Sequence, residues 1–380
     1  MATPIPEEPQ AITKPEPSTT PEPSTTLEPS STPKPSSATE NSSTNAVTGK
    51  LIVSFIDVGQ ADSILIQAGS YSMLIDAGNN SDADTVVNYI KKQGISKLDY
   101  VIGTHPHEDH IGGLDAVIEA FDISKIYMPK VTTTTKTFED VILAIKNKGL
   151  KITTPTPGST FSLGDAKCSI LAPNSDNYED LNNFSIVLKL DFGKTSFLFT
   201  GDAQIESEKE IINTSYELHA DVLKVGHHGS DTSTSQEFLK VVSPKYAVIS
   251  VGDGNDYGHP KQVILQRLAD AGVQVFRTDE SGTIVVTTDG EAIEFDMKAS
   301  AIKPQAPPKT EESKTSETTE TVTEGTNTSG NNDIIVYITK TGEKYHADGC
   351  RYLSKSKIEI KLSEAKAKSF APCSVCNPPK

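Results

Sequence analysis

The chain has 380 residues, a formal net charge of −16 and a pI near 5.0. That length suggests two or three domains. Bulk charge of this sign repels nucleic acid and anionic membranes, so a broad DNA-coating surface is disfavoured while a local metal centre that cuts DNA is not. No apolar run is long enough to cross a bilayer, so no membrane span is expected. Met1–Pro6 carries neither a basic stretch nor an apolar core, so no signal peptide is visible, although one removed ahead of this numbering would leave the same start.

Residues 1–48 are rich in Pro, Ser, Thr and Glu, and Pro-Glu-Pro-Ser-Thr-Thr occurs twice in succession, at Pro15–Thr20 and Pro21–Thr26. With so little to bury, the segment is expected to be disordered or extended. Stalks of this kind join cell surfaces to exported domains, which points to a secreted or surface placement; cytoplasmic linkers have the same composition. Order is expected from Gly49. Leu51–Val58, Asp62–Ala68 and Tyr71–Asp76 read as strands, followed by a helix from about Ser81 to Gln93 that stops at Gly94. Leu98–Gly103 reads as a buried strand and Leu114–Phe121 as a helix. A strand at Lys125–Met128, a helix near Thr137–Lys148 and a strong apolar hairpin at Phe184–Phe192 and Thr195–Thr200 come next. Asp202–Ile212 is expected to be helical. Strands at Ala220–Val225, Lys245–Val251 and Val273–Arg277 alternate with helices near Ser235–Val242 and Pro260–Ala271, and a last hairpin covers Gly282–Phe295. Two mixed sheets covered by helices fit this order. The expected domains are therefore 49–298 as one α/β unit, 299–332 as a disordered linker and 333–380 as a small closing module.

Between the Leu98–Gly103 strand and the following helix lies Thr104-His105-Pro106-His107-Glu108-Asp109-His110-Ile111-Gly112-Gly113. Imidazoles and carboxylates mixed so densely at the carboxyl end of a strand suit Zn²⁺ or a similar ion. His105 and His107 can face one ion; Asp109 and His110 can face a second one nearby. Asp202, directly after the strand Ser196–Thr200, can bridge the two, although an N-cap for the next helix would also place a carboxylate there. Gly226-His227-His228-Gly229-Ser230 ends another strand, so one of His227 and His228 is expected to close the second ion's shell, with His228 favoured. Strand alternation would send the two imidazoles in different directions. His259 again precedes a helix at a strand end.

These motifs resemble the metallo-β-lactamase superfamily, and within it the soluble hydrolase domain of the ComEC competence proteins. The resemblance rests on Asp57-Val58-Gly59-Gln60-Ala61-Asp62-Ser63, Leu74-Ile75-Asp76-Ala77-Gly78, the His105–Gly113 run, Phe199-Thr200-Gly201-Asp202, Leu223–Ser230 and Tyr257-Gly258-His259-Pro260, in order across about residues 50–296. It implies an αββα sandwich and a hydrolytic centre holding two ions, Zn²⁺ or Mn²⁺. A phosphodiester offers oxygens to both ions and an in-line leaving group. Lys224 is then expected to bind phosphate, with Ser230 or His259 hydrogen-bonding it and Asp109 at the catalytic centre. Asp76 and Asp57 are expected to orient imidazoles. The chain departs from the pattern in three places. Ala61 stands where relatives often have Gly, and with no apolar run long enough to cross a bilayer no ComEC-type membrane channel is expected within these residues. No histidine lies between His110 and His219, so the first ion lacks the usual third imidazole. Asn182-Asn183 precede the relevant strand, which leaves that site weaker, or completed by an amide or water.

Four cysteines occur in the chain. Cys168 is expected to be a buried small apolar residue. His346, Cys350, Cys373 and Cys376, as a His-x3-Cys pair and a Cys-x2-Cys pair, form a structural Zn²⁺ signature, and the module resembles small Cys/His modules related to the Ada N-terminal domain. Three cysteines pair badly as disulfides, and so short a module needs metal to fold. The expected function is a metal-dependent hydrolase, a phosphodiesterase or nuclease acting on DNA. The alternatives are a phosphodiesterase of a small or cell-surface substrate such as a phosphocholine ester, and a non-catalytic binding protein with a degenerate centre.

Overall fold

The computed structural model describes residues 49–302 and most of 334–379, which belong to two compact units. The tail at 1–48 and the linker beyond Ile302 lie outside the described residues. In the first unit an eight-stranded sheet runs, edge to edge, Ile293–Phe295, Ile284–Thr288, Leu51–Phe55, Ile64–Ala68, Tyr71–Ile75, Lys97–Ile102, Asp122–Tyr127 and Ile152–Thr153. A seven-stranded sheet runs Gln274–Arg277, Tyr246–Ile249, Val222–Lys224, Thr195–Phe199, Val187–Phe192, Ala166–Ala172 and Thr160–Leu163. Each strand alternates its side chains, so each sheet has two apolar faces to cover. Phe55, Ile66, Phe197, Phe199 and Leu188 form one buried cluster that fills the space between the sheets. Helices Ala83–Lys92, Leu114–Ala120 and Lys136–Asn147 cover the outer face of the first sheet through Val86, Ile90, Leu114, Val117 and Val141. Helices Ile205–Ile212, Gln236–Val242 and Gln262–Asp270 cover the second through Ile211, Phe238, Leu239, Ile264 and Leu268. The result is an αββα sandwich.

The strand pairing explains where function collects. Lys97–Ile102 is parallel to both its neighbours, as are Val222–Lys224 and Tyr246–Ile249 to theirs. Parallel neighbours place several strand ends, and the loops leaving them, on one edge of the sandwich. Gly112 sits so close to the Asn79–Asn80 backbone that a Cβ would stand 2.2 Å from it, which packs the histidine-rich loop onto the loop after Tyr71–Ile75. Two sequence expectations shift. Asp202 is not helical: the helix starts at Ile205, with Gln204 as its N-cap, so the Asp202 carboxylate is not spent on capping. The packed chain also continues to Ile302, since the Ser300 amide donates to the Val275 carbonyl at 2.7 Å and Ile302 joins the cluster beneath the second sheet.

In the second unit, strands Ile335–Ile338, Lys344–His346, Ile358–Lys361 and Ala371–Pro372 form one sheet, with helix Leu362–Ala367 following the third. Its apolar core is small: Val336, Ile338, Tyr345, Ile360, Leu362 and Ala365, with Phe370 packed against it.

Candidate metal centre

The loops after four strands converge on a cavity of about 340 Å³ lined by His107, Asp109, Asp202, His227, His228 and His259, with Gln60, Glu108, Asn182 and Tyr257 completing the wall. Gly201 adopts φ 50°, with the Thr104 and Ser185 hydroxyl oxygens 3.1 Å from where its Cβ would be, and this turns Asp202 inward. The Asp202 amide donates to Ser185 Oγ at 3.0 Å.

Asp109, His110, Asp202 and His228 bring one donor atom each to within 4.8 Å of one another. His110 Nδ1 donates to Asp76 Oδ2 at 2.8 Å, and His228 Nδ1 donates to the Ser250 carbonyl at 3.0 Å. A ring whose Nδ1 carries the proton presents Nε2 as a lone pair. Both Nε2 atoms, together with Asp202 Oδ1, are buried without a hydrogen-bond partner. His110 Nε2 lies 3.3 Å from Asp202 Oδ2, and His228 Nε2 lies 3.3 Å from Asp109 Oδ2 and 3.6 Å from Asp202 Oδ2. Unpaired buried donors are costly, and two imidazole lone pairs with two carboxylates are a divalent-ion donor set. The electrostatics agree. Burial disfavours a charged His110, yet Asp202, Asp76 and Asp109 outweigh it and hold its pKa well above the ordinary value. Burial likewise opposes ionisation of Asp202, but His110, His228 and His227 hold its carboxyl well below the usual range. The site therefore demands positive charge, which an ion supplies while leaving both Nε2 atoms deprotonated.

His105 and His107 form a second pair of donors, with His105 Nε2 3.0 Å from His107 Nδ1. Thr104 Oγ1 and Ser185 Oγ lie 3.2 and 3.3 Å from His105 Nδ1 and fix its ring. Burial, with His110 beside it, keeps His105 well below the ordinary imidazole pKa and hence neutral. His105 and His107 are the pair expected from the sequence to face a first ion.

His227 and His228 are not on a strand. The strand ends at Lys224, and both histidines adopt left-handed backbone, φ 51° and 53°, a conformation that costs energy outside glycine. That turn, and not strand alternation, separates them. His228 is buried in the four-donor set, whereas His227 is about a quarter exposed at the mouth, its Nε2 3.6 Å from Asp202 Oδ2 and its Nδ1 3.0 Å from Thr232 Oγ1. His259 faces His227 across the cavity, ring centroids 5.9 Å apart. Asn255 clamps its backbone at both N and O. Burial, then His227 and His228, bring its pKa down to about 4.

Three expected roles are corrected. Lys224 cannot meet substrate: it is 1% exposed, its Nζ pairs with Asp62 Oδ2 at 2.9 Å and donates to the Val225 carbonyl at 2.9 Å. The Ser230 hydroxyl is buried against Thr232 Oγ1 at 3.0 Å and does not line the cavity. Asp57 is exposed and caps its own turn, accepting from the Gly59 amide, so it orients no imidazole. The residue of that motif that reaches the centre is Asp62, with Oδ1 3.7 Å from His228 Nδ1. Nothing local in the sequence marks Asp62, Gln60, Ser185 or Ser250 for these positions; only the fold brings them to the centre.

A model of the metallo-beta-lactamase superfamily matches residues 56–253. The chain belongs to this superfamily. It is 34% identical over 250 residues to ComE operon protein 3 of Bacillus subtilis (strain 168), covering 61% of this chain and 32% of that one. It is 30% identical over 246 residues to Competence protein ComA of Neisseria gonorrhoeae, covering 61% and 31%. The chain thus spans about a third of the length of these curated relatives. Among solved structures, the metallo-beta-lactamase fold protein YhfI from Bacillus subtilis is 15% identical with a TM-score of 0.43, covering 63% of this chain and 100% of that one. Membership, with the donor set above, makes the first unit a metal-dependent hydrolase that uses divalent ions.

In the second unit, His346, Cys350, Cys373 and Cys376 also lie within 4.8 Å of one another, and none of the cysteines is in a disulfide. His346 Nδ1 is 3.1 Å from Cys350 Sγ and 3.9 Å from Cys376 Sγ. Burial, then the neighbouring Cys376 and Cys373 thiols, push Cys350 up to about 11. Such crowding is relieved by a thiophilic cation.

Proposed function

We propose that the hydrolase unit is a phosphodiesterase that cleaves DNA in a two-ion centre. The observation that carries this is the convergence of His110 Nε2, His228 Nε2 and Asp202 Oδ1, all buried and lacking partners, at an open cavity lined by Asp202 and His228. His105, His107 and Asp202 would hold the first ion, and Asp109, His110, His228 and Asp202 the second, as Zn²⁺ or Mn²⁺. Ions there supply Lewis-acid activation of water and of a phosphoryl oxygen. Asp76 and Ser250 fix the tautomers of His110 and His228. Asp109, a third exposed on the cavity wall with its Oδ2 3.3 Å from His228 Nε2, is placed to orient the attacking water. His259 and His227, both with lowered pKa, stay neutral and donate hydrogen bonds to non-bridging phosphate oxygens.

The relatives named for competence support DNA as substrate. The net charge of −16 favours a second reading, a small or surface-borne phosphodiester such as a phosphocholine ester. A panel of single- and double-stranded DNA, bis-p-nitrophenyl phosphate and p-nitrophenyl phosphocholine decides between them. Turnover of phosphocholine ester without DNA cleavage would overturn the first reading. The second unit takes one structural Zn²⁺ on Cys350, Cys373, Cys376 and His346. No helix among the described residues is long and apolar enough to cross a membrane. The stalk-like composition of residues 1–48 supports a secreted or surface location, which cell fractionation would check.

A further inference from the structure

Asn182 carries a buried polar atom with no partner in the fold. Its side chain is 6% exposed, its Oδ1 has no hydrogen-bond partner, and it lines the same cavity as His107 and Asp202. The neighbouring Asn183 is different. Its Nδ2 donates to Glu206 Oε2 at 3.0 Å and its Oδ1 accepts from the Gln204 amide at 3.1 Å, so it is fully committed to structure. Asn182 sits in the short helical turn Leu181–Phe184, started by its own amide donating to Asp180 Oδ1 at 3.1 Å. That turn closes with the Ser185 amide donating to the Asn182 carbonyl at 3.0 Å. The Ser185 hydroxyl then touches both His105 Nδ1, at 3.3 Å, and the Asp202 amide, at 3.0 Å. The turn is thereby tied to both sides of the first-ion position.

We propose that Asn182, through its side-chain carbonyl, is the third neutral donor to the ion held by His105 and His107. This rests on the two-ion reading. A buried carbonyl oxygen with no donor costs free energy unless a cation or a proton donor meets it. His107 lines the cavity beside Asn182, with His105 Nε2 3.0 Å from His107 Nδ1, and Asn carbonyls are ordinary ligands of hard divalent ions. Replacing a third imidazole by an amide oxygen makes the first site harder and weaker, so it prefers Mn²⁺ more, and Zn²⁺ less, than the second site does. The two ions should therefore bind in order, the Asp109–His110–His228 site filling first.

The test is Mn²⁺ binding by the full chain after removal of metal, with free Mn²⁺ read from its EPR signal. The thiolate-rich shell of the second unit takes Mn²⁺ poorly, so the titration reports the hydrolase centre. The unaltered chain should bind one Mn²⁺ tightly and one weakly. Asn182→Ala should weaken the second event about tenfold or more and leave the first unchanged. Asn182→Asp, nearly the same shape with a charge added, should tighten the second event, and Asn182→His should raise Zn²⁺ affinity at that site. If both Mn²⁺ affinities are unchanged in Asn182→Ala and Asn182→Asp, the proposal is overturned; a raised KM in those variants would then give the amide a substrate-binding role. If the unaltered chain binds a single Mn²⁺, and His105→Ala binds the same, the two-ion reading itself fails.

Discussion

Replacing Lys224 by methionine removes the ammonium that lies 2.9 Å from Asp62 Oδ2, both residues being 1% exposed. Methionine keeps the length and the apolar stem, so the packing around position 224 survives. What is lost is the charge balance of Asp62, whose Oδ1 already lacks a hydrogen-bond partner. Stripping one partner from a buried pair leaves an uncompensated charge and costs about 3–5 kcal/mol. Removing both charges, in Asp62→Asn with Lys224→Met, leaves only an unpaired amide, worth roughly 1–3 kcal/mol. The double variant should therefore be more stable than Lys224→Met alone, an inversion that marks a buried pair. Urea unfolding at fixed metal load reads this directly, with an unchanged m-value showing that the transition is comparable. The reasoning is refuted if Lys224→Met unfolds within about 1 kcal/mol of the unaltered chain while losing hydrolysis. That result would return Lys224 to a phosphate-binding role.

His228→Ala should lose the tighter ion after dialysis, while His227→Ala should retain it and lose turnover; metal analysis showing the reverse would exchange their roles. His259→Ala should lower kcat/KM roughly 10- to 100-fold, the cost of a hydrogen bond to a charged group. Because His259 titrates at about 4, it is already neutral throughout pH 5–8. The acid limb of the pH–rate profile should thus keep its midpoint in that variant, and a shifted midpoint would show that His259 is the titrating group. In the second unit, chelation should expose the core around Tyr345 and Val336 to protease within that unit while the hydrolase unit stays resistant, read by mass spectrometry of the fragments. Resistance of both units under chelation would remove the structural Zn²⁺ from the account.

Much of the fold could be read in the sequence because its strands are short apolar runs stopped by Gly or Asp. Leu51–Phe55, Tyr71–Ile75 and Thr195–Phe199 fall within a few residues of their expected bounds. The candidate ligands were legible for a related reason: His105, His107, Asp109 and His110 fall within six residues of one another, so their proximity needs no tertiary information. What was hidden depends on tertiary partners or on backbone conformation. Asp62, on the loop before Ile64–Ala68, meets Lys224 from a strand of the other sheet, and nothing local to either shows it, though a lysine among Val222, Leu223 and Val225 is a signal of paired burial. Asp57 and Asp62 flank one turn, and only the fold shows which carboxylate faces inward. The left-handed turn at His227 and His228 leaves no periodicity to detect. Asn182 and Asn183 are the same residue type side by side, and only their partners distinguish them.

The central claim is that bound divalent ions, held by Asp202 and its neighbours, make this chain hydrolyse phosphodiesters. The direct measurement is bis-p-nitrophenyl phosphate hydrolysis by chelated protein, with Mn²⁺ or Zn²⁺ added back in measured equivalents, for the unaltered chain and for Asp202→Asn. The expected result is no turnover after chelation, recovery as ions bind, and neither recovery nor full ion uptake in Asp202→Asn. Undiminished turnover in chelated protein, or in Asp202→Asn, would contradict it.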